Sequence, residues 1–318
     1  GPACGPAGPD GGGCREPLPG SLAEVHAEAL RSEGFAIVDD FLDPSAVEAL
    51  RREALELVRG GRMPQHYFQF GSTRFTKPHI FEADLLDEAM QQALPEHAEL
   101  LFDDALARSL SEALPELRLA CGPQAKSLKV QYNAGAGGCF PWHYDNAGGR
   151  PSRRAITCVV YLNPDWRDGD GGELILAPFL RPEVRVQPLA GRAALFRSDL
   201  VLHRVAPAVA ERLCFTIWLD GGAVNSSEDC NLTARHLALA AGLPASAGQL
   251  RASPVQRAVS RAVYAEEYEE SLRDCMADAA GAAEMLQAHA AHVGQQRAHP
   301  QLGPFVDALR AHKPPRGG

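Results

Sequence analysis

The feature that most constrains the fold is a series of short strand-like runs between residues 127 and 220. Apolar and β-branched side chains dominate each run, and Gly, Pro, Asn or Asp residues separate one run from the next. Frequent short strands divided by turn residues are typical of an all-β sandwich or barrel. The predicted strands comprise residues 128–132, 155–162, 173–177, 184–187, 193–196 and 213–219.

Helical patterns precede this β region. A capping-box signature begins at Ser21, and Asp43 followed by Pro44 combines an N-cap residue with proline at the first helical position. Two helices are therefore expected to begin at these points. Residues 35–38 between them are predicted to form a strand, and residues 97–114 a further helix.

The sequence becomes alanine-rich after Gly222, which predicts helices at 260–272, at 279–293 and near 305–310. The chain is thus predicted to be mainly β with flanking helices. Its predicted parts are a disordered Gly- and Pro-rich segment (1–20), a β domain with supporting helices (21–222) and a helical C-terminal extension (223–318).

Residues 60–82 carry many aromatic and basic side chains but show no clear helical or strand periodicity. We predict a long irregular loop here, and two interpretations stay open. It is either an ordinary loop anchored by aromatic side chains or a lid that contacts the substrate, because long loops without regular structure are often functional. Tyr67 and Arg74 are its candidates for substrate contact.

A candidate metal site is centred on His143 and Asp145. In an extended strand, residues two apart project to the same face, so these two side chains are predicted to point together. His203 lies in another strand-like run and can supply a third ligand. Two imidazoles and one carboxylate on one side of a metal leave positions open, which is the arrangement of non-haem Fe(II) oxygenases. Taken alone, the His-x-Asp triplet is a weak signal.

Arg212 strengthens this interpretation and indicates a co-substrate. Alternation along its strand-like run places Arg212, Thr216 and Trp218 on one face. A buried arginine needs an anionic partner, and its planar guanidinium suits a two-point contact with a carboxylate. A dicarboxylic acid that chelates iron through its other end meets this need. The alternative is a structural salt bridge with Asp199 or Asp220.

Further motifs accompany these residues in a fixed order. They are Tyr132, residues 140–146 (Phe-Pro-Trp-His-Tyr-Asp-Asn), residues 154–163 (Arg-Ala-Ile-Thr-Cys-Val-Val-Tyr-Leu-Asn), Asp165-Trp166, residues 171–174 (Gly-Gly-Glu-Leu) and residues 196–199 (Phe-Arg-Ser-Asp). Together with His203, Arg212 and Trp218, the series resembles the prolyl 4-hydroxylase branch of the 2-oxoglutarate oxygenases. Within that branch it most resembles the hypoxia-inducible-factor prolyl hydroxylases.

The resemblance implies a double-stranded β-helix, a jelly-roll barrel that closes over the iron. It implies Fe(II), 2-oxoglutarate and O₂ as cofactor and co-substrates, with ascorbate as a reductant. His143, Asp145 and His203 would hold the iron, and Arg212 would bind the distal carboxylate of 2-oxoglutarate. The other positions that the resemblance assigns to the co-substrate pocket are Tyr132, Tyr161, Leu174, Val205, Thr216 and Trp218. The turn between Tyr132 and His143 is one residue longer than expected in that branch.

The implied activity is hydroxylation of a C–H bond, with succinate and CO₂ as co-products, and a prolyl residue in a protein or peptide is the first-choice substrate. Trp142 beside the metal, with Tyr67 and Arg74, is a candidate to contact the peptide, although Trp142 fits core packing equally well. Two alternatives stay open. One is an oxygenase of the same fold that acts on another side chain or a small molecule. The other is a metal-free binding module, against which the intact set of four residues argues.

Composition limits the partners and the compartment. The net charge of −9 does not favour nucleic-acid binding, and no apolar run is long enough to span a membrane. The 8 cysteines contain no CxxC pair and do not indicate a disulfide scaffold; Cys139, Cys158 and Cys214 are predicted to be buried free thiols. We therefore expect a cytoplasmic or nuclear location. The opening Gly1-Pro2 resembles a protease-cleavage scar, so the native amino terminus is expected to differ.

Overall fold

A pair of antiparallel β-sheets forms the centre of the computed structural model, which describes residue 22 and residues 24–70, 73–147, 152–225, 232–233, 237, 243–276 and 281–315. In chain order the strands are β1 (Phe35–Val38), β2 (Gln65–Phe70), β3 (Thr73–Asp84), β4 (Lys126–Asn133), β5 (Gly138–His143), β6 (Ser152–Tyr161), β7 (Leu174–Pro178), β8 (Val184–Val186), β9 (Ala193–Arg197), β10 (Val201–Ala208) and β11 (Arg212–Asn225). The larger sheet has the order β1-β9-β6-β11-β4-β3-β2 and the smaller one β5-β10-β7-β8. The predicted mainly β fold with a double-stranded β-helix core is confirmed.

A hydrophobic core fills the space between the two sheets. Tyr161 of β6, Phe196 of β9 and Cys214 of β11 pack there with Leu176 of β7 and Val205 of β10. Side chains alternate along each strand, so these apolar residues share the inner faces of the sheets with the polar residues of the candidate site. The fold thereby brings together side chains that are far apart in the sequence.

The outer face of the larger sheet is covered by the N-terminal helices, which are α1 (Glu24–Ser32), α2 (Pro44–Arg59), α3 (Glu88–Ala93), α4 (Pro95–Phe102) and α5 (Ala105–Ala113). Asp43 caps α2 as predicted, because its carboxylate accepts hydrogen bonds from the first-turn backbone N–H groups beside Pro44. The single helix predicted over residues 97–114 is instead two helices. Asp103 interrupts it by accepting a hydrogen bond from Ala105 N, a local turn that competes with the helix.

The smaller sheet is covered by the C-terminal helices, which are α6 (Leu243–Arg251), α7 (Arg257–Val263), α8 (Ala265–Met276), α9 (Ala282–Ala298) and α10 (Leu302–Ala311). Ile175 of β7 and Leu202 of β10 pack against Val259 of α7 and Phe305 of α10 in one buried cluster. The helix predicted over residues 260–272 is divided between α7 and α8, and α6 is additional. Because β11 continues to Asn225, the predicted boundary after residue 222 falls inside a strand.

Residues 60–82 do not form the irregular loop that we predicted. Most of them belong to β2 and β3, an antiparallel pair that extends the larger sheet beyond β4. Backbone hydrogen bonds, such as those in the register pair Ile80 and Asn133, determine this structure rather than a period of apolar side chains. The buried residues of β3 (Phe75, Lys77, Ile80 and Ala83) are unevenly spaced, because the register between β2 and β3 shifts, and they include a charged side chain. The sequence therefore shows no clear alternation here.

A disulfide joins Cys139, at the start of β5, to Cys275 near the end of α8, with a Cα–Cα distance of 5.5 Å. The prediction that Cys139 is a free thiol is therefore wrong. The two cysteines are 136 residues apart, and no spacing motif links them. Cys158 and Cys214 are buried free thiols, as predicted.

The predicted disorder of residues 1–20 lies outside the described residues and stays a prediction. The helices that the structure describes include none that is both long and apolar enough to cross a membrane.

Candidate metal and co-substrate site

The three predicted metal ligands come together where β5, the edge strand of the smaller sheet, pairs with β10. His143 at the end of β5 is the register partner of His203 on β10. The potential ligand atoms of His143, Asp145 and His203 all lie within 4.8 Å of one another. The prediction that His143 and Asp145 share a strand is wrong, because β5 ends at His143 and Asp145 lies in a bend. Strand pairing and this bend together bring the three side chains into one cluster.

Hydrogen bonds orient each of these ligands. His143 Nδ1 lies 2.8 Å from Pro141 O, and His203 Nδ1 lies 3.2 Å from Val201 O. Because each Nδ1–H can donate to a backbone carbonyl, each Nε2 is left with a lone pair directed at the cluster. The two Nε2 atoms are each 3.7 Å from a carboxylate oxygen of Asp145.

Two hydroxyl groups that sequence reasoning missed support Asp145. Thr157 Oγ1 on β6 donates to Asp145 Oδ2 at 2.7 Å, and it lies 2.8 Å from Ser198 Oγ. Both residues belong to motifs of the family resemblance. The alternation of β6 was a signal that could have directed Thr157 toward the site.

The electrostatics favour the protonation states that bind a metal. Desolvation, followed by the neighbouring His203, lowers the pKa of His143 to about 4, so its imidazole is neutral at neutral pH. Burial alone would raise the pKa of Asp145. The neighbouring His203 and His143 lower this pKa by a larger amount, so it lies below the usual value of an aspartate. Neutral imidazoles and an ionised carboxylate are the ligand forms that bind a divalent cation. The donor set therefore fits Fe(II).

Arg212 lies in the same cavity as this cluster, a space of about 60 Å³. The residue is only 3% exposed, and its Nη1 donates to Cys214 Sγ at 3.2 Å while its guanidinium carbon lies 5.2 Å from the ring centroid of Tyr161. In the part of the chain that the structure describes, no carboxylate lies within 4.0 Å of its guanidinium nitrogens, and its Nε has no hydrogen-bond partner. The alternative of a salt bridge with Asp199 is not observed, since Asp199 pairs with Arg197.

A buried arginine without a protein anion fits a ligand carboxylate. Space for its side chain is provided by Gly172, in the turn before β7. A Cβ atom on Gly172 would lie 2.8 Å from Arg212 Cδ, and the φ of +76° at this position also favours glycine.

The remaining predicted co-substrate residues fall into two groups. Leu174, Val205, Thr216 and Trp218 line the cavity with Arg212, and Tyr161 packs beneath the guanidinium. Tyr132 does not reach the cavity. It belongs to the core under the N-terminal helices, and its hydroxyl donates to Glu211.

The reason for the Tyr132 error is strand alternation. Moving by one position along a strand changes the face on which a side chain lies, so Gln131, and not Tyr132, lines the cavity. The turn between Tyr132 and His143, which is one residue longer than expected in the branch that the sequence resembles, was a sign in the sequence that the residues of β4 are shifted by one position. Other lining residues that sequence reasoning missed are Phe140, Thr157, Val159 and Phe196.

A second cavity of about 410 Å³ adjoins the first, and His143 lines both. Trp142, a predicted substrate-contacting residue, lines this larger cavity and also packs in the core with the C-terminal helices. Tyr67 is 52% exposed and does not line it, whereas the preceding His66 does. The side chain of Arg74 lies outside the described part of the chain.

Comparison with known proteins gives family models and solved structures that are similar to this chain. The family model of the 2OG-Fe(II) oxygenase superfamily matches residues 128–220, and that of phytanoyl-CoA dioxygenase matches residues 30–165. A solved prolyl 4-hydroxylase from Phytophthora capsici is 39% identical, with a TM-score of 0.79 and 92% of each chain covered. A prolyl hydroxylase from Trichoplax adhaerens, solved with a peptide fragment of the hypoxia inducible factor oxygen degradation domain, is 25% identical with a TM-score of 0.52. That match covers 62% of this chain and 87% of the other.

Curated relatives give the same result over part of the chain. Egl nine homolog 1 of Mus musculus is 29% identical over 221 residues, which cover 65% of this chain and 54% of the relative. The matched region spans about half to two thirds of the length of the Egl nine homolog 1 proteins of mouse, rat and human.

Proposed function

This chain belongs to the 2-oxoglutarate–Fe(II) oxygenase superfamily, and we propose that it hydroxylates a prolyl side chain in a protein or peptide. The superfamily requires Fe(II), 2-oxoglutarate and O₂. Succinate and CO₂ are the expected co-products.

The observation that carries the proposal is the position of Arg212. Its guanidinium lies in the same small cavity as His143, Asp145 and His203, and it is buried without a described carboxylate partner. A dicarboxylic co-substrate that meets the metal at one end and Arg212 at the other would neutralise this charge. A module that only binds a partner has no use for a buried, unbalanced arginine beside a cluster of metal ligands.

Bound iron with 2-oxoglutarate and O₂ supplies the oxidising chemistry, in which one oxygen atom enters the substrate C–H bond and the other enters succinate as CO₂ leaves. The chain contributes binding and orientation. Arg212 holds the distal carboxylate of 2-oxoglutarate, Thr157 fixes the Asp145 carboxylate, and the apolar Leu174 and Val205 limit the access of water.

The prolyl assignment is supported by the similar proteins. The relative that is similar over nearly the whole chain is a prolyl 4-hydroxylase, and the Trichoplax adhaerens enzyme was solved with a peptide. The second cavity has room for a prolyl side chain and part of its neighbours, since its volume of about 410 Å³ lies in the range of about 300–1,000 Å³ that is usual for ligand pockets.

Incubation of the protein with Fe(II), 2-oxoglutarate, ascorbate and a library of proline-containing peptides tests the proposal. We expect peptide products that are heavier by one oxygen atom, detected by mass spectrometry, and an equal amount of succinate by NMR. The His143→Ala variant should form neither. Products formed only from peptides without proline, or only from small molecules, would overturn the prolyl assignment. Failure of the reconstituted protein to bind both iron and 2-oxoglutarate would overturn the enzymatic function itself.

Arg212→Lys tests the co-substrate assignment separately. The variant should bind 2-oxoglutarate at least about tenfold more weakly, because a lysine ammonium cannot make the two-point contact of a guanidinium. Calorimetry on the metal-loaded, anaerobic protein measures this change. The control is Arg297→Lys, which alters an exposed arginine paired with Asp307 and should keep the wild-type affinity. An unchanged affinity in Arg212→Lys would remove Arg212 from the pocket.

A further inference from the structure

We propose that the cavity of about 410 Å³ between the barrel and the C-terminal helices is the peptide site, and that Arg261 selects peptides with a carboxylate close to the reactive proline. This inference rests on the proposed function, because it places the substrate of that reaction. His143 lines both this cavity and the smaller one that holds Arg212, so an occupant would lie next to the metal ligands.

The walls of the cavity are mostly apolar. Phe140 and Trp142 of β5 form its barrel side, and Tyr268 and Leu272 of α8 belong to its helical side. Aromatic and aliphatic walls of this kind suit a pyrrolidine ring and the apolar parts of neighbouring residues. A prolyl residue inserted here would be held beside the metal without needing polar contacts of its own.

Arg261 is the lining group of the cavity that carries a charge without a nearby acidic partner. The described residues that line the cavity include no aspartate or glutamate; His66 lies 3.3 Å from Glu82, and desolvation lowers the pKa of Lys77 to about 7. The Arg261 guanidinium lies over the ring of Tyr268, with its carbon 4.9 Å from the ring centroid. This guanidinium at the cavity wall indicates a ligand that brings a negative charge of its own.

The acidic residues nearest to Arg261 in the sequence are engaged elsewhere. Glu266 pairs with Arg310, and Glu267 pairs with Lys313. Within the described residues, Arg261 has no ion pair at 4.0 Å or less. The overall net charge of −9 would not attract acidic peptides. Local recognition of a substrate carboxylate must then come from Arg261, which stays charged at all relevant pH values.

The helical wall that carries this recognition is attached to the metal-binding strand. Trp142 N donates to Ser271 Oγ of α8 at 3.2 Å, and the Cys139–Cys275 disulfide joins the same two elements. Arg257 of α7 donates through Nη1 to the backbone oxygen and to Oδ1 of Asn146, next to Asp145. Several bonds therefore fix the distance from Arg261 to the metal ligands. A fixed distance is required if Arg261 is to recognise a residue close to the proline that reacts.

Binding of a fluorescein-labelled peptide panel tests the inference. The peptides share a central proline and differ only in whether the flanking residues are Asp, Ala or Lys. With the Mn(II)- and 2-oxoglutarate-loaded protein, fluorescence anisotropy should show about tenfold tighter binding of the Asp peptide than of the Ala peptide, and the weakest binding of the Lys peptide. Arg261→Gln should remove the preference, and Arg261→Glu should reverse it in favour of the Lys peptide.

The matched control is Arg273→Gln, which removes an exposed arginine of α8 that pairs with Glu269 and does not line the cavity. It should retain the wild-type preference. Equal affinities of the three peptides for the wild type, or an Asp preference that survives in both Arg261 variants, would overturn the inference. If the Asp peptide binds through Arg261 but gains no oxygen under turnover conditions, the prolyl reaction is wrong and the site stands. If peptides are hydroxylated without a charge preference, the reaction stands and the role of Arg261 is wrong.

Discussion

At the scale of single residues, Asp145 depends on a short chain of hydroxyl groups. Thr157 donates to the carboxylate, and Ser198 lies within hydrogen-bonding distance of Thr157. Both supporting residues are buried. A ligand carboxylate held in this way keeps one oxygen available for the metal, because the other oxygen is engaged by the threonine.

Replacing Thr157 by Val should therefore weaken Fe(II) binding by about 10- to 100-fold, since the isosteric valine removes the donor but preserves the packing of β6. Competition with a metal chelator measures the change. Thr76→Val on β3, where the side chain is exposed, is the control and should leave the affinity unchanged. Equal affinities in the two variants would show that the hydroxyl does not support the ligand.

Lys77 is a buried amine beside the larger cavity. It is 5% exposed, its Nζ lies 3.6 Å from the centroid of the Phe140 ring, and desolvation lowers its pKa from 10.5 to about 7 despite the opposing effect of Glu82. Between these two pKa values the unfolded chain binds a proton that the folded chain releases. The folded state is consequently favoured as the pH rises through this interval.

Comparison with Lys77→Met makes this effect measurable. Relative to the variant, the free energy of unfolding of the wild type should increase by about 2 kcal/mol between pH 7 and pH 9, as measured in denaturant titrations. The stabilisation is lost as the pH falls toward 7, where the folded protein must accept the charge. A difference between the two proteins that does not change with pH would contradict the assigned pKa.

The sequence predicted residues that carry a chemical requirement, and it missed those that only support them. His143, Asp145, His203 and Arg212 were predicted because metal and dicarboxylate chemistry demand their side-chain types. Thr157 and Ser198 were missed, since a threonine or serine in a strand has many ordinary roles. Tyr132 was assigned to the wrong face because only the structure shows which residues of β4 face inward.

At the scale of elements, the turn that leads into β7 shapes the co-substrate pocket. Gly169 and Gly172 both have positive φ angles, of +98° and +76°. Only Gly172 is closely surrounded, because its position would bring a Cβ atom within 2.8 Å of Arg212 Cδ, whereas nothing lies within 4 Å of the corresponding point at Gly169. Substitutions at the two glycines therefore distinguish the effect of backbone strain from the effect of a contact with Arg212.

Both Gly172→Ala and Gly169→Ala should lower stability by about 1 kcal/mol, because alanine is strained at positive φ. Only Gly172→Ala should also weaken 2-oxoglutarate binding, since the added methyl group displaces Arg212. Thermal unfolding and calorimetry measure the two effects. Loss of co-substrate affinity in both variants would indicate that the turn, and not the contact with Arg212, controls the pocket.

Most strands of the barrel could be predicted, because buried strands combine β-branched side chains with turn residues at their ends. The pair β2 and β3 could not, since the buried residues of β3 are unevenly spaced and include the charged Lys77. The ends of α4, α5, α7 and α8 were also missed. Local hydrogen bonds, such as the one that Ala105 N donates to the Asp103 carboxylate, determine these ends. They do not change the periodic spacing of apolar residues from which a helix is predicted.

At the scale of the whole molecule, the C-terminal helices form part of the site. They pack on the smaller sheet, line the larger cavity and bond to the segment that carries His143 and Asp145. The sequence predicted these helices but not where they pack, because contacts between distant segments depend on the three-dimensional arrangement. The pairing of Cys139 with Cys275 was hidden for the same reason.

Removal of this disulfide by the paired substitutions Cys139→Ser and Cys275→Ser should lower the free energy of unfolding by about 2–4 kcal/mol. It should also weaken binding of the labelled peptides while leaving 2-oxoglutarate affinity unchanged, because α8 lines the peptide cavity and not the co-substrate cavity. Denaturant unfolding and the two binding assays measure these effects. Cys121→Ser, at an exposed free cysteine, is the control. Equal stability of the paired variant and the control would contradict a structural role for the bridge.

The same disulfide has a mechanical consequence. It closes a loop between residues 139 and 275, and this loop contains His143, Asp145, His203, Arg212 and Arg261. A pulling force applied to the two termini would pass through the covalent bridge instead of along the loop. In a single-molecule stretching experiment, the enclosed residues would add no contour length until the bridge is reduced, so the metal ligands would be shielded from the load.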